Sequence, residues 1–437
     1  MIPGMAWTLT VKDLGPFKDA SIEVRPLTVI IGRNSSGKSL LLRLMWALST
    51  SGPDDELFIK YLSEKVGSEK AWELLRTRFS ARNALVNLRE IEGYTKLYAD
   101  IVIRSFLDST RNRVKEVLGD IGGEVRISSG QVSITIDLFS DKNQSVTPKL
   151  EDLIEVTITE KIGVGIRFKG SKSLLEGLPP EMIIGLGDGD LYSIILTLLE
   201  TLVGRSGPFF KASGITPVIF LVDSRAGLMK YKLPALLKIY DLSDIILKNF
   251  IDQYFILLEE FDRGEIQIPE EFLNELGFTL KVVDEGGFKV PYVQLWNGKV
   301  FPLSEVPSGI REALPIALAL GRDNPSIVYI EEPEAHLHPR AQRIVAKMIA
   351  NAVKKGKYVI ITTHSEFLLY TLSDVVGLYR KDKEAGLDPN MVSAYLLKRG
   401  DRYTEVEKLT VDEYGISEEE FGKVAEEMLD ERGKIYD

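Results

Sequence analysis

From Trp7 to Ile31 the chain alternates apolar and polar positions. "WTLTVKDL", "ASIEV" and "LTVII" carry the pattern and Gly15-Pro16 punctuates it, so strands are predicted there. A small polar loop, Gly32 to Ser39, is followed by "LLLRLMWAL", which is apolar nearly all round and predicts a buried helix. Residues 53 to 120 are polar and helical in character, and the basic cluster "RTRFSARNALVNLR" reads as a solvated amphipathic face. Alternation returns between Gly123 and about Lys169, as in "QVSITIDLF" and "LIEVTITEKIGVGIRF", and predicts an antiparallel sheet. Helices are predicted at Glu181 to Val203 and at Leu233 to Phe261, with a strand in "PVIFLVDSRAGL" between them. "FTLKVVDEGGFKVPYVQLW" predicts a hairpin turning at Gly286-Gly287. The last third alternates helix and strand in α/β fashion: "SGIREALPIALAL", "SIVYIEE", "AQRIVAKMIANAV", "YVIITTHS", "FLLYTLS".

Length and composition narrow the picture. A chain of 437 residues exceeds most single cores, so two lobes, or one lobe with large insertions, are expected. The formal net charge of −10 argues against a surface coated for nucleic acid and leaves room for a local basic patch. The absence of cysteine excludes disulfides, thiolate zinc sites and cysteine nucleophiles. The amino terminus lacks a signal-peptide pattern. The greasiest stretch, "LYSIILTLLETLVG", is broken by Glu200 and is shorter than the roughly 20 apolar residues that span a bilayer. A cytoplasmic chain without a membrane partner is expected.

The loop carries the first chemistry. Gly32-Arg33-Asn34-Ser35-Ser36-Gly37-Lys38-Ser39 satisfies G-x-x-x-x-G-K-[ST], between an apolar strand and a helix. Gly32 and Gly37 let the backbone N–H groups of Asn34, Ser35 and Ser36 wrap an anion, and the helix offers its positive end. Lys38 would neutralise β and γ phosphates, and the Ser39 hydroxyl would ligate Mg²⁺. Such a loop needs an acidic strand end, and "SIVYIEEPEAHLHP" supplies one: Ile327 to Ile330 run into Glu331 and Glu332. Glu331 could support Mg²⁺ through water, and Glu332 could orient and deprotonate an attacking water. His364 ends the next apolar strand, where an imidazole could sense a γ-phosphate. Ser308-Gly309 opens a predicted helix, which is either a plain cap or a second anion site. A second phosphate-binding helix end would suggest a site completed by another subunit. His336 and His338 would need distant carboxylates to hold zinc, and read as a locally bonded loop.

The order of these elements resembles ABC-type ATPase heads, and more closely the SMC, RecF and OLD (overcoming lysogenization defect) group. "LTVKDLGPFKDASIEVRPLTVIIGRNSSGKS" is similar to that group's opening, "IEEPEAHLHPRAQ" to the acidic segment of its stand-alone ATPases, and "DSRAGL" at Asp223 to Leu228 to a further segment they carry. The likeness is good at both ends and poor from 51 to 300. It implies an α/β P-loop NTPase of ABC-ATPase type, with a parallel-core sheet, an antiparallel sheet and helical insertions. Residues 1–50 and 121–170 would form a first lobe with the phosphate loop, 51–120 a helical insertion, 171–300 an α/β insertion, and 301–437 a second lobe. The resemblance further implies ATP and Mg²⁺ as ligands, with Lys38, Glu332 and His364 catalytic. Two heads would close on ATP, each site using the other's Ser308-Gly309, with Lys18 near the nucleotide. The signature reads Pro-Ser-Gly-Ile rather than Leu-Ser-Gly-Gly, and Gln131 and Gln144 are weak candidates for the glutamine loop. The long interval from Gly32 to Ser308 argues against a transporter subunit, and the lack of sustained heptads against a long coiled coil. "GDGD" at Gly187 to Asp190 reads as a turn and helix cap rather than a nuclease site. DNA and a separate effector protein are candidate partners, and a nucleotide-gated scaffold that never touches nucleic acid is the alternative.

Overall fold

A computed structural model describes residues 7–52, 54–71, 88–129, 132–138, 145–147, 154–159, 163–168, 181–185, 217–223 and 225–436. The chain divides into two compact units, residues 1–23 with 47–215 and residues 24–46 with 216–437. The phosphate-loop strand therefore folds with the later part of the chain and not with the strands that precede it. The basic cluster at 76–87, Gln131, Gln144, the "GDGD" segment and the greasy stretch at 191–204 lie outside the described residues.

The alternating opening forms β1 (Trp7–Leu14) and β2 (Phe17–Val24), and the apolar run forms β3 (Leu27–Gly32), followed by α1 (Lys38–Ser49). Two polar helices come next, α2 (Asp55–Val66) and α3 (Leu88–Leu118). Asp54 caps α2 by accepting from the Leu57 N–H. The Tyr61 hydroxyl of α2 donates to Asp108 of α3 at 2.6 Å. Burial together with that carboxylate pushes the phenol up to about 12.

The alternation after Gly123 gives β4 (Glu124–Ser129), β5 (Val132–Asp137), β6 (Ser145–Thr147), β7 (Ile154–Thr159) and β8 (Gly163–Phe168). Their ladders are antiparallel, as the alternation predicts, with order β2-β1-β4-β5-β6 in one sheet. The helix expected to start at Glu181 is corrected: Glu181–Gly185 is a strand, β9, paired antiparallel with β8. Met182, Ile183 and Ile184 are one short apolar run, which suits a strand as well as a helix and is decided by the neighbouring β8.

The second unit is built on one sheet. β10 (Val218–Leu221) leads into a one-turn helix α4 (Arg225–Leu228), then α5 (Leu233–Leu242), α6 (Ile245–Asp262) and α7 (Glu270–Leu276). Ser243 and Asp244 break the helical stretch in two, and Asp244 caps α6 through the Leu247 N–H. β11 (Phe278–Glu285) and β12 (Phe288–Leu295) form the expected hairpin, joined on its far side by β13 (Val300–Pro302). Gly286 and Gly287 both have positive φ, as a two-residue hairpin turn of this kind requires.

The main elements that follow are α8 (Ser308–Gly321), β14 (Ile327–Glu331), α9 (Pro339–Lys354), β15 (Tyr358–Thr363), α10 (Glu366–Leu378), β16 (Val392–Arg399), β17 (Thr404–Lys408) and α11 (Glu420–Tyr436). The sheet order is β10-β14-β15-β3-β16-β17, parallel except for the β17 edge. β10, β14, β15 and β3 are almost wholly buried, which is why they read as continuous apolar runs. Trp46 of α1 meets Phe220 edge-on, Phe220 stacks on Tyr329, and the Tyr329 hydroxyl donates to the Met45 carbonyl. That aromatic chain seats α1 on β10 and β14. Among the described residues no helix is long and apolar enough to cross a membrane.

Beneath the amino ends of β14 and β15, Lys357 is fully buried and donates to the Arg322 carbonyl. Burial pulls its pKa down to about 8. The unfolded chain holds this proton up to about 10.4, so between the two values it binds more protons than the folded chain, and stability rises with pH. Urea unfolding at pH 7 and pH 10 should show wild type gaining stability relative to Lys357→Met at the higher pH.

Candidate functional site

The parallel register brings the predicted residues to one sheet edge. Glu331 is paired with Thr362 of β15 and Thr362 with Ile30 of β3, so the acidic end, the histidine end and the phosphate loop all leave the sheet at its carboxyl side. Gly32 has φ +145, and a Cβ there would stand 2.5 Å from the Leu397 carbonyl of β16. The loop's first glycine is thus required by the close approach of the neighbouring strand as well as by its backbone conformation. Gly37 and Ser35 also have positive φ, which turns successive backbone groups around the loop.

Lys38 opens α1 and is buried, with Nζ donating to the Gly32 and Arg33 carbonyls at 3.0 Å each. Burial lowers its pKa, opposed by the charges of Glu332 and Glu334. Ser36 is buried and its hydroxyl has no partner among the described residues, while Asn34 and Ser35 are exposed at the loop tip. Arg33 is held outward by Glu420 of α11 at 3.0 Å.

Glu331 is 1% exposed. Burial pushes its carboxyl up, against the pull of Arg43, whose Nε stands 3.5 Å away, and of the Ser39 hydroxyl. Neither carboxylate oxygen has a hydrogen bond of good geometry among the described residues. A buried carboxylate this poorly satisfied, beside a serine hydroxyl, is an all-oxygen donor set of the kind that suits Mg²⁺. The residues present therefore fit the ion.

Glu332 has φ +44, an uncommon conformation for a non-glycine residue, and its N–H donates to the Thr362 carbonyl. The turn out of β14 leaves its side chain partly exposed, with Oε1 3.7 Å from His364 Nε2. His364 is lowered by burial and by Lys38, with Glu332 opposing, so its imidazole is mainly neutral at pH 7. The backbone N–H of His364 donates to Glu334, a buried carboxyl raised by burial. Lys38, Glu332 and His364 are thus close enough to sense one another's charge.

Ser308 opens α8, as expected, behind Pro307. A Cβ on Gly309 would lie 3.0 Å from the His336 carbonyl, and nothing of the phosphate loop lies within 4 Å of that point. The Ser308-Gly309 helix end packs instead on the turn after the acidic strand. His338 caps α9 by accepting from the Arg340 N–H, a local bond of the kind expected of it. Lys18 forms an exposed 2.6 Å pair with Asp13.

Sequence reasoning passed over Arg225, although "DSRAGL" carries it. It is fully buried and donates to the carbonyls of Leu221 and Val222 at the end of β10, and to those of Glu331 and Glu332 at the end of β14. Its Nε–H donates to the Glu312 carbonyl of α8, and the Glu312 carboxylate stands 2.7 Å from the guanidinium as an ion pair. Glu312 also accepts from the Ala226 N–H at 2.6 Å. Burial alone would push Glu312 up, and Arg225 opposes it. One guanidinium therefore joins β10, β14 and α8 at the point where the acidic pair leaves the sheet.

A G-x-x-x-x-G-K-S loop after β3, an acidic strand end one place removed from it across β15, and a histidine ending that intervening strand meet at one edge of a mixed α/β fold, as in a P-loop nucleotide-binding site. Residues 197–369 match the family described as an AAA domain, putative AbiEii toxin, Type IV TA system. The chain is also similar to solved SMC heads. One, described as the SmcHead bound to the C-winged helix domain of ScpA, is 14% identical with TM-score 0.41, over 93% of this chain and 98% of that one. A Pyrococcus furiosus Smc head domain with an extended coiled coil, bound to the C-terminal domain of ScpA, is 12% identical with TM-score 0.39, over 97% and 99%. The SMC head domain from Thermotoga maritima is 12% identical with TM-score 0.37, over 93% and 99%. No curated protein matches the chain.

Arg225→Met should leave Glu312 buried without a counter-charge and destabilise the fold by about 3–5 kcal/mol. Adding Glu312→Leu should recover the part of that loss that comes from the stranded carboxylate and leave the part that comes from the carbonyls Arg225 had bonded, and urea unfolding of the two variants measures both.

Proposed function

We propose that the protein binds and hydrolyses ATP as an ABC-type head that closes into a dimer around the nucleotide. The observation that carries this reading is the meeting of Lys38, Ser39, Glu331, Glu332 and His364 at the carboxyl edge of one parallel sheet. The loop N–H groups and Lys38 would hold the β and γ phosphates, with Gly32, Asn34, Ser35, Ser36 and Gly37 shaping the cradle. Ser39 and Glu331 would hold Mg²⁺, which when bound neutralises phosphate charge. Glu332 takes the proton of the attacking water, its partial exposure leaving room for that water. His364, mainly neutral and next to Glu332, donates a hydrogen bond toward the γ-phosphate and registers its departure.

The Ser308-Gly309 end belongs in this reading to the partner's site, since its close neighbours in its own chain are His336 and Leu337. Lys18 remains a candidate for contact with the nucleotide. The biological setting we favour is a DNA-linked process such as repair or defence against mobile elements, with a separate effector. The net charge of −10 favours a second reading, a nucleotide-gated scaffold that holds and releases a protein partner without touching nucleic acid. DNA binding that appears with ATP and weakens steeply with salt belongs to the first reading alone.

Lys38→Ala should abolish binding of a fluorescent ATP analogue, because the phosphates lose their main cation. Glu332→Gln should bind that analogue as wild type does and lose at least about a hundredfold in phosphate release. Wild-type turnover in Glu332→Gln would remove Glu332 from the role of base.

A further inference from the structure

His364 sits in a two-residue turn between β15, which ends at Thr363, and α10, which starts at Glu366. Its ring stands 3.7 Å from Glu332, beyond hydrogen-bond range, and makes no hydrogen bond among the described residues. The place of the imidazole therefore depends on what holds the backbone of the turn. Ser365 is tied locally: its N–H donates to the Thr363 hydroxyl at 3.0 Å, and its own hydroxyl donates to Gln342 of α9 and caps α10 through the Leu368 N–H. His364 is tied across the site, by its backbone N–H to the Glu334 carboxylate at 2.6 Å.

Glu334 is a firm anchor. It lies in the turn after β14, between Glu332 and His336, whose φ values of 44 and 57 are both positive. The Ala335 and Leu337 N–H groups close that turn by donating to the Glu332 and Glu334 carbonyls at 3.1 and 3.0 Å. The Glu332 carbonyl is held by Arg225, and the Leu337 carbonyl accepts from the Gln342 side chain at 2.8 Å. A chain of bonds thus runs from the buried guanidinium through the acidic turn to the histidine.

The choice of a carboxylate here has a cost. Burial raises the Glu334 carboxyl and the charge of Glu332 adds to the rise, against the His364 N–H and the Thr363 hydroxyl. Its Oε2 is buried without a partner among the described residues. An amide could accept one N–H without burying a charge. A carboxylate gives the shorter and stronger bond, and its negative charge is felt by Lys38.

We propose that Glu334 is a positioning residue: by fixing the backbone of His364 it presents the imidazole to the γ-phosphate beside Glu332, without itself touching nucleotide or the attacking water. Its effect on turnover rests on the ATPase reading, and its hold on His364 does not.

The test uses the full chain labelled with ¹⁵N at histidine, which contains three such residues, so that the backbone signal lost in His364→Gln assigns His364. A short bond to a carboxylate places that amide proton downfield, and Glu334→Ala should move it upfield. In the same variant phosphate release should fall about ten- to a hundredfold, with affinity for a fluorescent ATP analogue unchanged. Glu334→Gln, which keeps an acceptor oxygen and loses the charge, should recover most of both the amide position and the turnover. Circular dichroism melts would establish that both variants are folded. An unmoved His364 amide in Glu334→Ala, wild-type turnover despite a moved amide, or a loss of analogue binding equal to the loss of turnover would overturn the positioning role. Absence of phosphate release from wild type would remove the ATPase reading instead, and the amide signal would still decide whether Glu334 holds His364.

Discussion

Arg225 is the fixed point of the second unit. A guanidinium carries five N–H donors in a rigid fork and stays charged, so burying it is tolerable only where every donor finds an acceptor. Here the acceptors are four strand-end carbonyls and the carbonyl of Glu312, and the Glu312 carboxylate supplies the counter-charge. Satisfying one side chain therefore sets where β10 ends, where β14 ends and how α8 meets them. The positive φ of Glu332 follows the same logic: its carbonyl is held by Arg225 and its N–H by Thr362, which over-determines an uncommon backbone.

That anchoring also divides the work between two adjacent glutamates. Glu331 is the last residue of β14, points into the buried side and is raised by burial, beside Ser39 and Arg43. Glu332, one residue later and past the turn, is partly exposed and reaches His364. Two identical side chains thus receive different solvation from a change of one position, as an ion-supporting carboxylate and a water-activating one would need. Placing Lys38 within reach of Glu332 and His364 gives the phosphate loop an electrostatic link to both.

Much of this was legible from sequence because it depends on local pattern. The phosphate loop has a spacing that few other structures need, and β3, β14 and β15 declare themselves as apolar runs buried on both faces. The hairpin turn was legible because two successive glycines meet a backbone demand that other residues resist. What sequence could not show is tertiary. Met182 to Ile184 fits helix or strand until β8 is there to pair with it. The reason for Gly32 lies in β16, about 365 positions away, through a carbonyl that no local pattern mentions. Arg225 looks like any surface arginine in "DSRAGL", and its burial becomes visible only when three elements converge on it.

The proposal that a second copy of the chain completes the nucleotide site is tested most directly by the mass of the Glu332→Gln protein in solution. Light scattering with and without Mg·ATP should show a monomer that becomes a dimer only when ATP is present. An unchanged mass, with ATP shown to be bound, would reduce Ser308-Gly309 to a helix end packed on His336 and would contradict the two-subunit site.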